Sequence, residues 1–261
     1  MYFHIVDGQK GGVGKSTTSK VLLEYFKHKG ISCKLFDLDA SSLDVGKIYA
    51  PNTYSPVKKN KGDKGKTNEE NFLQFTANKS TKDEVDILFD AALENNVICN
   101  LPSNIKHLFN PWIIDNGLIE LARDNGVKFV KWFVSSGEVQ SIGEFIETVD
   151  KFTNSETFQH VFVKNLSLEE NWQKVIDHNK TLNETLESDK IITLELPALS
   201  PTRYKLILEN NLTFEAAKTS KELNMVARQG VAKFLEKAFE NLDTTFAELG
   251  ISQPVQDGAQ G

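Results

Sequence analysis

The chain has 261 residues, 39% of them apolar and 25% charged, and a net charge of −6. Those proportions exclude a disordered chain and fit one α/β domain around a single core. The acidic balance excludes nucleic-acid binding through overall charge, and no apolar run reaches the roughly 18 residues of a membrane span.

Tyr2 to Val6 is a short apolar run with a glycine loop behind it, which reads as a first strand. The chain enters it directly, with no signal-peptide pattern ahead, and its two cysteines, Cys33 and Cys99, fall in strand-like runs. Together these predict a reducing, cytoplasmic setting. From Ser16 to Lys29, Val21, Leu22, Tyr25 and Phe26 recur at helical spacing, and Gly30 offers a stop. The segment "SCKLFDLD" then reads as a second strand ending in Asp37 and Asp39, which completes a strand, loop, helix, strand unit. Pro51 to Asn71 is polar, carries five lysines between Lys58 and Lys66, and reads as a surface excursion. Beyond it "NNVICNLP", "GVKFVKWFV", "HVFVKNL" and "KIITLELP" are strand-like runs separated by longer segments of mixed polarity. Continuous apolar runs alternating with helical segments predict an α/β fold: a mostly parallel twisted sheet with helices on both faces. Val231, Phe234, Leu235, Ala238 and Leu242 form the packing stripe of a late helix. We expect a single domain over 1–250 and a loosely ordered polar tail over 251–261.

The chemistry concentrates in "GQKGGVGKST", Gly8 to Thr17. Gly11, Gly12 and Gly14 let the backbone curl, so that N–H groups from Gly11 through Val13 and on to Thr17 converge on phosphate oxygens. A helix opening at Lys15 adds its positive end. Lys15 brings a full charge for the β- and γ-phosphates, and Ser16 brings a hydroxyl for Mg²⁺. A second lysine, Lys10, stands where such loops have no lysine. It cannot easily turn back onto its own phosphates, but it can project toward those of a facing copy; the alternative is a solvated lysine.

At these residues the sequence resembles the ParA/MinD family of deviant Walker A ATPases, P-loop NTPases in which the first lysine is the signature lysine. The resemblance implies an ATP sandwich of two subunits, with Lys10 acting across the interface as an electrostatic stabiliser. It extends to "LFDLDAS", similar to the family's Asp-x-Asp switch. There it implies that Asp39 orients the attacking water and that Asp37 lies nearer the Mg²⁺; an acidic turn after a strand is the plainer reading. Late in the chain the resemblance implies base-side contacts from Asn165 and Pro197, which could equally be strand-ending turn residues. The stretches from "NFLQF" through "LARDNG" and the late "LPALSPTRYKLILENNLTFEAA" are loosely similar to plasmid mobilisation and conjugal-transfer members.

One position departs from the family. Its third strand ends in an aspartate, whereas "VICNLPS" places Asn100 there, and an asparagine brings no negative charge to a metal site. Two readings follow. One is a slow ATPase that positions or partitions a cargo such as plasmid DNA or a protein assembly. It would form an ATP-gated homodimer, answer to a stimulating adaptor protein, bind DNA without sequence preference and associate with the nucleoid. The other is a nucleotide-gated binding module with little turnover, for example an accessory protein of plasmid mobilisation. A small-molecule enzyme on the same scaffold would need an acceptor cluster of His, Arg or carboxylates near the loops, and none is concentrated there. Candidate DNA contacts are Arg203, Lys205, Lys218, Lys221, Arg228, Lys233 and Lys237, interleaved with glutamates that suit a solvated face equally well. The five histidines show no metal-ligand spacing, and no membrane partner is expected.

Overall fold

A computed structural model describes residues 1–39, 44–51, 85–152, 156–188 and 190–251. The lysine cluster of 58–66 lies outside the described residues, as does the expected tail except for Ile251, which packs against the core.

Six strands form the sheet: β1 (Tyr2–Asp7), β2 (Cys33–Asp37), β3 (Asn96–Asn100), β4 (Lys128–Ser135), β5 (Phe158–Asn165) and β6 (Ile191–Leu196). Their order is β2-β3-β1-β4-β5-β6 and every pairing is parallel. The expected mostly parallel sheet is therefore parallel throughout. After β1 the chain winds outward to β2, returns through β3, and crosses β1 to build the other half. The carboxyl end of β1 is thus the point at which the winding reverses, where open α/β sheets form their ligand crevice.

Helices cover both faces, as the unbroken apolar strands require. On one face Val6, Ile98, Val130, Trp132 and Val163 pack against α1 (Lys15–His28) and against a long helix at the end of the described chain, Met225–Glu248. The expected stripe of Val231, Phe234, Leu235, Ala238 and Leu242 is the buried side of that helix. On the other face Phe3, Ile5, Val97, Cys99 and Phe129 pack beneath α3 (Ile87–Glu94) and α4 (Lys106–Asp115). Nearby, Phe133 and Phe162 meet Phe145 of α6 (Val139–Phe152). Shorter helices complete the layers: α2 (Asp44–Tyr49), α5 (Leu118–Asp124), α7 (Trp172–Asp177), α8 (Lys180–Leu186), α9 (Pro201–Glu209) and α10 (Phe214–Ala217), which makes Met225–Glu248 α11.

Several polar side chains are buried within this packing. His4 accepts from Trp132 Nε1 at 3.1 Å, and burial pushes its imidazole down to about 3, so it is a neutral core residue. Lys131, fully buried in mid-β4, stands in register with Ile5 of β1 and His160 of β5. Cys33 is half-buried and Cys99 is buried, and neither forms a disulfide.

Candidate functional site

The loop from Gly8 to Gly14 joins β1 to α1 at the reversal point of the sheet. Its shape depends on absent side chains. A Cβ on Gly8 would lie 2.7 Å from the Val134 carbonyl oxygen, and one on Gly14 would lie 2.5 Å from Asn165 Nδ2. Gly12 and Gly14 also have φ of 83° and 109°, which side-chain-bearing residues rarely adopt. Gly14 caps α1 without any side-chain bond, and the first turn of α1 holds no acidic residue. Its amide N–H groups therefore face the crevice with neither a protein acceptor from a cap nor a repelling carboxylate nearby, which suits an anion.

Lys15 is 5% exposed, and its ammonium donates to Lys10 O at 3.0 Å and Ser103 Oγ at 2.9 Å. Burial pulls its pKa down, opposed by the carboxylates of Asp7 and Asp39. Both acceptors are neutral, so the charge is held in place without being cancelled, and a phosphate would be a stronger acceptor than either. Ser16 and Thr17 follow, half-buried, in the first turn of α1. Lys10 lies at the rim, and its ammonium is 2.5 Å from Glu138 Oε2, with both side chains about half exposed.

The last residues of β2 and β3 form one hydrogen-bonded group. Asp37 is 1% exposed; its Oδ1 accepts from Asn100 Nδ2 at 2.9 Å and from Asp39 N at 3.3 Å, and its Oδ2 accepts from Gly46 N at 2.8 Å. Asn100 Oδ1 in turn accepts from Ser19 Oγ of α1 at 3.0 Å. Burial raises the Asp37 pKa, more than these donors lower it. Asn100 thus spends both ends of its amide on binding β2 and α1 together, and Asp37 ties the end of β2 to α2. Asp39 is half-buried, and its charge reaches Lys15.

On the other side, Asn165 ends β5 and supports the loop directly: Nδ2 donates to Val13 O at 2.7 Å, and Oδ1 accepts from Ser167 N at 3.0 Å. Pro197 is buried one residue beyond β6, beside the end of β5. The structure therefore brings Lys10, Gly11 to Thr17, Asp39 and Asn165 around one loop, with Pro197 at the neighbouring strand end and Asp37 set deeper. Ser103, Glu138, Asp7 and Lys131 were missed in the sequence. Lys131 alone left a signal there, as a charge inside the apolar run "FVKWFV", which demands a buried partner.

The basic residues proposed as DNA contacts are partly engaged. Lys205, Lys218 and Lys237 pair with Glu209, Glu215 and Glu240, and Arg203 packs its guanidinium over Gly230. Lys221 and Lys233 are exposed. Among the described residues no group of three or more His, Cys, Asp or Glu could hold a metal ion, and no helix is long and apolar enough to cross a membrane.

The model of the CobQ/CobB/MinD/ParA nucleotide-binding domain matches residues 4–249. No curated protein matches the sequence. Among solved structures the chain is similar to the ParA of pNOB8, with a TM-score of 0.54 at 13% identity over 95% of this chain and 98% of that one. A structure of pNOB8 ParA bound to nonspecific DNA gives a TM-score of 0.42 at 12% identity, over 90% of this chain and 98% of that one. The MinD cell division protein of Aquifex aeolicus gives 0.45 at 15% identity, over 90% and 97%. Only the first likeness has a TM-score above 0.5, and at 13% identity it bears on the fold alone.

Proposed function

The chain belongs to the CobQ/CobB/MinD/ParA nucleotide-binding domain family, and on that premise we propose that it is a slow ATPase whose ATP-bound dimer positions or partitions a cargo, plasmid DNA or a large protein assembly. The observation that carries this reading is the loop itself. The amide end of α1 is uncapped, Lys15 rests on neutral acceptors, and Lys10 stands exposed at the rim.

In this reading the amides of Gly11 to Thr17 and the Lys15 ammonium take the phosphates of ATP, while Asn165 and Pro197 flank the base. Ser16 would hold Mg²⁺ directly, and Asp37 would act through the segment it anchors. Ser16 in the first turn of α1 and Asp39, whose charge reaches Lys15, are oxygen donors of the kind Mg²⁺ takes, with phosphate and water completing its shell. Bound there, the metal would supply neutralising charge to the phosphates. Asp39 would orient the attacking water, and Lys10 would leave Glu138 for the nucleotide of the facing copy. Dimerisation doubles any basic patch, so DNA without sequence preference would be held by the pair and released by the monomer. A stimulating adaptor protein would set the timing, and the protein would work in the cytoplasm on the nucleoid.

Light scattering with ADP and with a non-hydrolysable ATP analogue tests this. A dimer with the analogue only, lost in Lys10→Ala and trapped on ATP in Asp39→Ala, is the expected result. A monomer in every state, despite bound nucleotide, would remove the role given to Lys10.

A second reading, a nucleotide-gated module with little turnover such as a mobilisation accessory protein, is favoured by Asn100, which adds no charge near the metal. Phosphate release that stays at background while the dimer still forms would select it.

A further inference from the structure

The reading of the Gly8–Thr17 loop as a phosphate site leaves a buried ion pair beneath it unused. Asp7, the last residue of β1, is 6% exposed and Lys131 of β4 is 0% exposed. Their Oδ2 and Nζ are 2.8 Å apart, across two adjacent strands. The other Asp7 oxygen accepts from Gly8 N, the first amide of the loop, at 2.7 Å. Burial pushes the Asp7 carboxyl up, but Lys131 and the Gly8 amide outweigh it and hold it below the usual carboxylate range. His160, on the far side of Lys131, has neither ring nitrogen hydrogen-bonded among the described residues. Burial and the neighbouring ammonium push it down to about 3, so it adds no charge. The row is thus one carboxylate, one ammonium and one neutral ring.

Such a pair is costly to bury, and apolar residues of similar size would serve stability as well. Its position suggests what it does instead. The Asp7 carboxylate also acts on Lys15, which would gain by pairing with it. Yet Lys15 Nζ makes no ion pair with Asp7; it rests on Lys10 O and Ser103 Oγ, while Asp7 Oδ2 is taken by Lys131.

We infer that Lys131 is a positioning residue for nucleotide binding: by occupying the Asp7 carboxylate it prevents Asp7 from capturing Lys15, and so leaves the loop lysine free to move to the phosphates. The inference rests on the phosphate-site reading. It requires that a lysine buried in mid-strand, joined to the loop through Asp7, govern affinity in proportion to how far the ligand relies on Lys15. Triphosphate should depend on it more than diphosphate, because Lys15 serves the β- and γ-phosphates.

The test is calorimetric titration of ADP and a non-hydrolysable ATP analogue into wild type, Lys131→Met, Lys131→Gln and the double variant Asp7→Asn/Lys131→Met, with folding checked by thermal melting. Lys131→Gln keeps a polar side chain in the strand but removes the charge that offsets Asp7, so the carboxylate is left to draw Lys15 by its own charge; this preserves a decisive variant if Lys131→Met does not fold. Expected is a loss of roughly tenfold or more for the analogue and a smaller loss for ADP in either single variant, as for an ion pair that competes with the ligand. The double variant should return the analogue to within about threefold of wild type, since it has no carboxylate left to capture Lys15. Equal losses for both ligands, a loss not restored by Asp7→Asn, or wild-type affinity in a folded Lys131→Gln would overturn the inference. Failure of wild type itself to bind either nucleotide would overturn the phosphate-site reading, and the inference with it.

Discussion

Asn100 Nδ2 donates to Asp37 Oδ1 at 2.9 Å, inside a site where each residue is 1% exposed. A neutral amide in this place lets the buried carboxylate keep a partner; an aspartate would set two carboxylates against each other. Asn100→Asp should therefore lower stability by about 2–3 kcal/mol at pH 7.5, the scale of an uncompensated buried charge. The sign with pH follows from proton count. Burial already raises the Asp37 pKa in the folded state, and a second carboxylate would raise it further. The folded variant then holds a proton that the unfolded chain has released, so its stability falls as pH rises. Chemical denaturation at pH 5 and pH 7.5 should show the deficit narrowing at the lower pH. A deficit that is constant or widens on acidification would refute this account.

Glu138 holds the Lys10 ammonium in a pair that is about half exposed. Pairs of this kind contribute at most about 1 kcal/mol, so Glu138→Gln should leave the melting temperature nearly unchanged. If Lys10 must leave Glu138 to reach a facing copy, the same substitution should lower the protein concentration needed for the analogue-bound dimer by a few-fold. Analytical ultracentrifugation of the variant and wild type gives the comparison. An unchanged midpoint would mean that the pair does not compete with dimerisation.

Gly14 and Gly12 separate two costs of adding a side chain. At Gly12 a Cβ meets nothing within 4 Å, so Gly12→Ala carries only the strain of φ 83°, about 1–2 kcal/mol. At Gly14 the strain of φ 109° is joined by a Cβ 2.5 Å from Asn165 Nδ2. Gly14→Ala should therefore be the more destabilising of the two and should displace Asn165 from the loop. Denaturant midpoints measure the first effect and nucleotide titration the second; equal behaviour of the two variants would count against this packing.

Asn165→Ala would leave the Val13 carbonyl without its 2.7 Å donor. The loss of one buried hydrogen bond costs about 1–2 kcal/mol, and the loop should loosen, weakening ADP and ATP binding alike. Ser103→Ala removes one of the two acceptors of Lys15, and leaves Lys10 O in place. It should change stability by less than about 1 kcal/mol, because the ammonium keeps a partner. Paired titrations and melts of the two variants would distinguish a residue that supports the loop from one that only parks the lysine.

The parts of this protein legible in its sequence are those that depend on neighbours along the chain. The loop of Gly11, Gly12 and Gly14 between a strand and a helix is local chemistry, because positive φ values and an open helix end are properties of adjacent residues. The α/β class was equally legible, since strands buried on both faces must be continuously apolar. What the tertiary structure alone decided is which distant residues meet at the strand ends. Asn100 could be read as a lost charge, but its place between Ser19 and Asp37 depends on β2 lying beside β3. Glu138 meets Lys10 across 128 positions, and Ser103 meets Lys15 across 88. Lys131 reads in the sequence as a charge in need of a partner; only the pairing of β4 with β1 makes that partner Asp7. A parallel sheet sets its order through crossovers of a dozen residues or more, so no spacing in the sequence could have named these pairs.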